Sequence, residues 1–200
     1  MKQSALFLIF LFCSLGVFAQ TSNELGFFFG GNSLRASYFP EYYSHPGDLA
    51  SQYEPYFKDT SVPPVIGMYY IRNIGRRLGA GVSASFGTAS GVCVDPATNK
   101  TLYTRNVRGV YFTPRIRYYY MKGRAGAMFL GSNLLLGFER QDNGAEGSVS
   151  RNICALSILP YGFKINLREY IGLFLETDAG FDFIGTKLFV GIRGGVSFNL

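Results

Sequence analysis

The sequence predicts an all-β fold: an eight-stranded antiparallel up-and-down transmembrane β-barrel. Three observations carry that reading. The chain opens with an export leader and has no second long apolar run. Beyond the leader, apolar and polar residues alternate with a period of two. Short and long turn segments then take turns along the chain, as they do where strands cross a membrane and return.

The leader has Lys2 as a basic start, an apolar run from Ala5 to Phe18, and Val17-Phe18-Ala19 before Gln20. This is a secretory signal peptide over residues 1–19, cut between Ala19 and Gln20, and the barrel domain spans 20–200. Phe12 is too large to precede a lipidated Cys13. Loss of Lys2 with the leader lowers the net charge from +6 to +5. The chain of 200 residues holds 25 Gly, 14 Tyr and 19 Phe but a single His. Glycine with aromatic and β-branched residues favours strands and turns over helices. The scarcity of His and the scattered carboxylates argue against a metal, a cofactor or a catalytic constellation. Nucleic acid is a poor partner for the positive charge of an exported chain.

Eight strands are expected at about 23–31, 63–73, 78–88, 106–121, 124–138, 151–166, 170–178 and 186–199. The first carries NELGFFFGG, and the second opens on Pro63-Pro64, which weakens its first residues as strand. The third sets Leu78, Ala80, Val82, Ala84 and Phe86 against Gly79, Gly81, Ser83, Ser85 and Gly87. The fourth sets Val110, Phe112, Ile116, Tyr118 and Tyr120 against Tyr111, Thr113, Arg115 and Arg117. The fifth follows the short junction Lys122-Gly123-Arg124. In the sixth the parities mix, with Ile153, Ala155, Leu159 and Phe163 against Leu156, Ile158, Pro160 and Lys164. Pro160 and Pro114 each remove a ladder donor, so each requires a bulge or a gap. The seventh sets Ile171, Leu173 and Leu175 against Gly172, Glu176 and Asp178. The eighth sets Leu188, Val190, Ile192, Val196 and Phe198 against Gly191, Arg193, Gly195, Ser197 and Asn199. Short junctions at 73–77, 122–124 and 166–169 alternate with longer polar segments near 31–62, 88–105, 139–150 and 178–186. An even strand count places both termini on the periplasmic side.

Closure creates one face for hydrocarbon and one narrow interior. Arg115 and Arg117 belong to the interior, with Glu24, Glu176 and Asp178 as partners and Arg72 and Arg193 as further cations. An eight-stranded barrel is just wide enough for its own side chains, so the expectation is a packed ionic network without an open pore. Tyr69, Tyr70, Tyr118, Tyr119, Tyr120, Tyr161 and Tyr170 gather near the short turns, as an interfacial aromatic girdle would.

The leader's Phe-Ala before Gln, then "NELGFFFGGN", "VIGMYYIRNIGRRLGAGVSASFG", "LPYGFKINLREYIGLFLETDAGF" and "VGIRGGVSFNL", resemble small outer-membrane β-barrel proteins of Bacteroidota-type bacteria. The broader OmpA/OmpX-like architecture is similar. The resemblance implies an integral outer-membrane protein, surrounded by outer-membrane lipid and lipopolysaccharide. The ending Val196, Phe198, Leu200 resembles the signal read by the barrel-assembly machinery.

Function on such a scaffold is expected in its loops. Tyr38, Tyr42, Tyr43, Tyr53 and Tyr56 form either a recognition surface or a cluster of rings capping the mouth. His45 with Asp48, Ser51, Ser90 or Asp95 is the only material for an enzyme acting on outer-leaflet lipid A. Cys93 and Cys154 lie toward the outer rim, either bridged or as two separate thiols. Basic residues gather at both ends, Arg76, Arg77, Lys122, Arg124 and Arg168 at the short turns and Lys58, Arg105, Arg108, Arg140, Arg151 and Lys187 near the outer ends, either as anchors on lipid phosphates or as ordinary solvated charges. The leading expectation is a non-catalytic structural or surface-interaction role. Next come an accessory subunit of an envelope secretion or surface-glycan assembly, docking an envelope protein, and third the lipid A enzyme.

Overall fold

The computed structural model describes residues 23–32, 56–95, 97–144 and 147–200. The leader with its cut at Ala19 and Gln20, Tyr38, Tyr42, Tyr43, Tyr53 and His45 lie outside the described residues. Nine strands appear among those described: β1 (Asn23–Asn32), β2 (Tyr56–Ser61), β3 (Val65–Ile74), β4 (Leu78–Val94), β5 (Thr101–Lys122), β6 (Gly126–Asp142), β7 (Ser148–Asn166), β8 (Ile171–Asp182) and β9 (Lys187–Asn199).

Eight of the nine form a ring. The order runs β3-β1-β9-β8-β7-β6-β5, and β4 pairs with both β5 and β3 to close it. All of these pairings are antiparallel. The seam joins the first strand to the last, with Leu25 opposite Phe198 and Phe27 opposite Val196. At its foot Asn23 and Leu200 exchange backbone bonds of 3.3 and 2.8 Å. Closure leaves no edge in the ring, so backbone donors and acceptors are satisfied inside the sheet.

Alternation decides which face each residue takes. The outer face carries Phe29, Ile66, Phe86, Val110, Phe138, Phe163, Leu173 and Val190, one from each ring strand, each more than a third exposed. In water so continuous an apolar surface would drive aggregation; in hydrocarbon it is the required solvent match. The inner face alternates glycine or serine with large rings and charges. A Cβ at Gly26 would enter the ring of Tyr69, and one at Gly162 would enter that of Phe129. Both rings are about 1% exposed, filling the space that the two glycines leave.

Both prolines disturb the ladder as their missing N–H requires. Opposite β6, the regular pairs stop at Phe112 and resume at Arg115, which leaves a gap around Pro114. In β7 the register against β8 shifts between Ser157 and Tyr161, which brackets Pro160. The irregularity reverses parity. Ile153, Ala155 and Ser157 face inward before it, and Pro160, Gly162 and Lys164 face inward after it. That reversal explains the mixed pattern of this segment.

Three tight turns close one end. In the first, Gly75 takes φ 69°, a conformation glycine adopts without a Cβ penalty. In the second, Gly123 and Gly126 bond each other across Arg124-Ala125 at 2.8 and 3.3 Å. In the third, the Leu167 N–H donates to the Ile171 carbonyl at 2.9 Å. The other end differs from expectation. Segments 88–105 and 139–150 are mostly strand rather than loop, because β4 runs to Val94, β5 begins at Thr101, β6 runs to Asp142 and β7 begins at Ser148. Part of the 31–62 segment is also strand: β2 adds to the upper part of β4, with Phe57 opposite Cys93. The strand beginning expected at Pro63-Pro64 starts instead at Val65.

Gly26→Val should therefore destabilise the barrel by about 2 kcal/mol, the scale of overpacking a filled interior. The check is the urea midpoint of the folded band in detergent. An unchanged midpoint would mean the lumen is looser than these contacts imply.

Candidate functional site

The feature in which chemistry concentrates is the ionic core of the lumen. It is built on the inward positions of seven ring strands, and the eighth, β4, supplies space. Arg117 and Arg115 on β5 stand opposite Gly79 and Gly81 of β4 in the ladder. Two bulky guanidiniums thus enter the lumen beside a stretch of strand whose inward residues, Gly79 to Gly87, are glycine and serine.

Glu176 of β8 is the hub. Its Oε1 accepts from Arg115 Nη2 at 3.1 Å, from Arg193 Nη2 at 2.7 Å and from Asn133 Nδ2 at 3.3 Å. Its Oε2 accepts from Arg117 Nη2 at 2.8 Å. Glu24 of β1 is the second centre, accepting from Lys164 Nζ at 2.7 Å and from Arg117 Nη1 at 3.3 Å. The Tyr69 hydroxyl donates to the same Glu24 carboxylate. Asp178 is the third: it accepts from Arg193, from Ser157 Oγ at 2.8 Å and from Asn133 Nδ2 at 3.0 Å. Arg117 joins the first two centres, and its guanidinium also lies 4.1 Å from the Phe129 ring centroid, a cation–π contact. Arg115, Arg117, Glu24 and Glu176 are each no more than 4% exposed. Charges so deep persist only when paired and hydrogen-bonded.

Of the seven expected network members, Glu24, Arg115, Arg117, Glu176, Asp178 and Arg193 meet in this way. Arg72 does not. It sits on the outward parity of β3, between the inward-facing Ile71 and Asn73 and opposite Asn23. The same strand corrects the girdle. Tyr69 is turned inward, as is Tyr119 of β5, while Tyr70, Tyr118, Tyr120, Tyr161 and Tyr170 remain outward and exposed. Lys164, Tyr69, Asn133 and Ser157 are network members the sequence reading missed. Lys164 could have been found only by placing the parity reversal at Pro160.

Above the core lies a cavity of about 60 Å³ lined by Thr113, Asn133, Ser157, Asp178 and Arg193, room for about two waters. Higher still, the Tyr111 hydroxyl donates to the buried Glu139 carboxylate, and Arg151 Nη2 donates to Asp182 at 2.9 Å. Buried polar contacts thus recur above the ionic core as well as within it. Among the described residues, no three His, Cys, Asp or Glu side chains converge as a metal ion would require.

Among the described residues, Cys93 and Cys154 are both free thiols. Cys93 is buried on the inward face of β4 against Phe57, Ala89 and Val107. Cys154 is on the outward parity of β7, opposite Leu136. The bridge considered from sequence is not formed, because the two thiols lie on opposite faces of the wall. Tyr56 opens β2 at the rim. Asp95, at the tip of the β4–β5 hairpin, is held below the usual carboxylate range by the Thr98 hydroxyl and the Ala97 N–H. That bonding fixes the turn and leaves Asp95 as a structural cap.

Glu176→Gln should cost about 3 kcal/mol, since it takes one carboxylate from Arg117 and Arg193 and leaves Arg115 without its carboxylate partner in the lumen. The denaturant midpoint should fall accordingly, and added salt should restore little of it, because buried charges are poorly screened. Gel mobility of the folded and of the boiled protein should be the same with and without reductant. A reductant-dependent shift would contradict the free thiols.

No protein-family model matches this chain, and no curated protein matches it in sequence. Solved structures do match in shape. The N-terminal β-barrel domain of Pseudomonas aeruginosa OprF aligns with TM-score 0.49 and 12% identity, covering 90% of this chain and 97% of that one. Ail, the attachment invasion locus protein of Yersinia pestis, aligns over the same shares with TM-score 0.49 and 10% identity. Ail in complex with the heparin analogue sucrose octasulfate aligns with TM-score 0.50 and 11% identity, again over 90% and 97%. At such identities a likeness speaks to fold alone: the chain has the antiparallel β-barrel fold of small outer-membrane proteins.

Proposed function

We propose that this chain is an integral outer-membrane β-barrel protein with a structural or surface-interaction role, a packed lumen and no open pore. One observation carries the reading. A closed ring bears an apolar outer face on every strand, and its interior is blocked by the Glu176–Arg115–Arg117–Arg193 cluster.

The two faces have opposite solvents. The outer one matches hydrocarbon, flanked on the turn side by Tyr118, Tyr120, Tyr161 and Tyr170 and by the exposed Arg76 and Arg77. Asn23 and Leu200 sit at that side, which the proposal assigns to the periplasm. The inner face offers no continuous water path, because the cluster crosses the lumen. The proposal places a non-catalytic role at the outer rim. There the strands run past the apolar band and β2 adds an extra sheet edge. That edge is what supports the runner-up reading, an accessory subunit docked to an envelope partner.

Heat-modifiable mobility and bilayer conductance test this together. Protein from the outer-membrane fraction should run as a compact band until boiled, and reconstituted protein should show no sustained conductance. A stable open channel would overturn the packed lumen. A soluble periplasmic protein with one mobility would overturn the barrel in the membrane.

A further inference from the structure

The outer-rim cations fall into two groups. Arg105 donates to Asn143 Oδ1 at 3.1 Å and lies over the Phe57 ring at 4.5 Å, and Arg151 is paired with Asp182. Arg108 and Arg140 are different. They occupy the outward parity of β5 and β6, both exposed, and stand directly opposite each other in the ladder. Neither makes an ion pair with any described residue, and Arg140 donates only to Ser148 Oγ at 3.3 Å.

Side chains opposite one another across an antiparallel pair have Cβ atoms about 5 Å apart, and like charges there repel. The next outward pair toward the membrane is Val110 and Phe138, 60% and 53% exposed, the top of the apolar face. The arginines thus stand about 7 Å farther along the strand, or about 5 Å in height at a tilt near 40°, at the depth of lipid headgroups. Hydroxyls flank them in the same row, with Thr88 beside Arg108 and Ser150 beside Arg140. The nearest acid in the pattern, Asp142, lies one step farther out and accepts the Gly144 N–H at 3.0 Å.

We propose that Arg108 and Arg140 form a clamp for a phosphate group of an outer-leaflet lipid. Two guanidinium forks facing one another offer a phosphate several charge-assisted bonds at once, and the anion removes their mutual repulsion. The occupant is a lipid headgroup rather than free phosphate, because the site faces away from the lumen and directly continues the apolar face. The inference rests on the proposed orientation in the outer membrane.

The test uses the full mature chain refolded in zwitterionic detergent, with the unfolding midpoint read from loss of the heat-modifiable band. Three additives are compared: lipid A with both phosphates, dephosphorylated lipid A, and inorganic phosphate. Phosphorylated lipid A should raise the midpoint, and the other two should leave it nearly unchanged. Arg108→Gln or Arg140→Gln should each weaken lipid binding about tenfold, the worth of one charge-assisted bond set. The double variant should lose the shift, yet be at least as stable as the parent in detergent alone, since the repulsion is gone. Arg76→Gln with Arg77→Gln, at the opposite end, should keep the shift. The proposal is overturned if the double variant keeps the shift, if it is weakened equally with and without lipid A, or if dephosphorylated lipid or free phosphate stabilises as well. A folded band in detergent confirms the barrel independently of all these outcomes.

Discussion

The lumen of this barrel must be electrically self-sufficient, and the rest of the structure follows from that constraint. A ring of eight strands has no room for bulk water among its inward side chains, so every guanidinium that enters needs a carboxylate within reach. Glu176 meets three arginines, and Glu24 ties Arg117 to Lys164. These contacts tie β1 to β5 and β7, and β8 to β5 and β9, across the interior. The seam at β1–β9 is therefore held by ion pairs through the lumen as well as by its own ladder. Glycine and serine on β4 supply the space, and inward rings such as Tyr69 and Phe129 fill what remains.

Arginine takes a second kind of position in the same strand. Arg115 and Arg117 are embedded among carboxylates, while Arg108 stands on the other parity beyond the apolar face. Three arginines within ten residues of one strand thus meet two different environments. Parity and height along the strand distinguish them.

The fold was legible where a strand crosses lipid with one polar face. There the two-residue period is forced, and β4, β5, β8 and β9 could be read residue by residue. It failed where physics weakens the period. In β3 both parities are apolar or aromatic near the turn, so nothing in the pattern told Tyr69 from Tyr70, and Arg72 was assigned inward. In β7 the irregularity at Pro160 reverses the faces, which hid Lys164. Above the membrane a strand no longer has an apolar side to present. The upper reaches of β4–β5 and β6–β7, with Thr88, Asn106, Arg108, Arg140 and Ser150 on the outward parity, therefore read as loops. Of the ionic core, charge and parity found six members, but the uncharged Asn133 and Ser157 carry no signal until their neighbours are placed in space.

The strands are unequal in length, and this gives the protein a front and a back. β5 has 22 residues and β7 has 19, against 12 in β8 and 13 in β9. At about 3.4 Å per residue and a tilt near 40°, β5 rises roughly 55 Å, whereas the apolar band is about 25 Å tall. β8 rises only about 30 Å on the same basis, scarcely more than the band itself. The β4–β7 side therefore stands as a wall tens of ångströms above the bilayer, and the β8–β9 side is nearly level with it. In the proposed orientation, a large molecule diffusing along the cell surface would meet the described strands as a wall on one side and as a low sill on the other. Among the described residues, strand height alone makes the two approaches unequal.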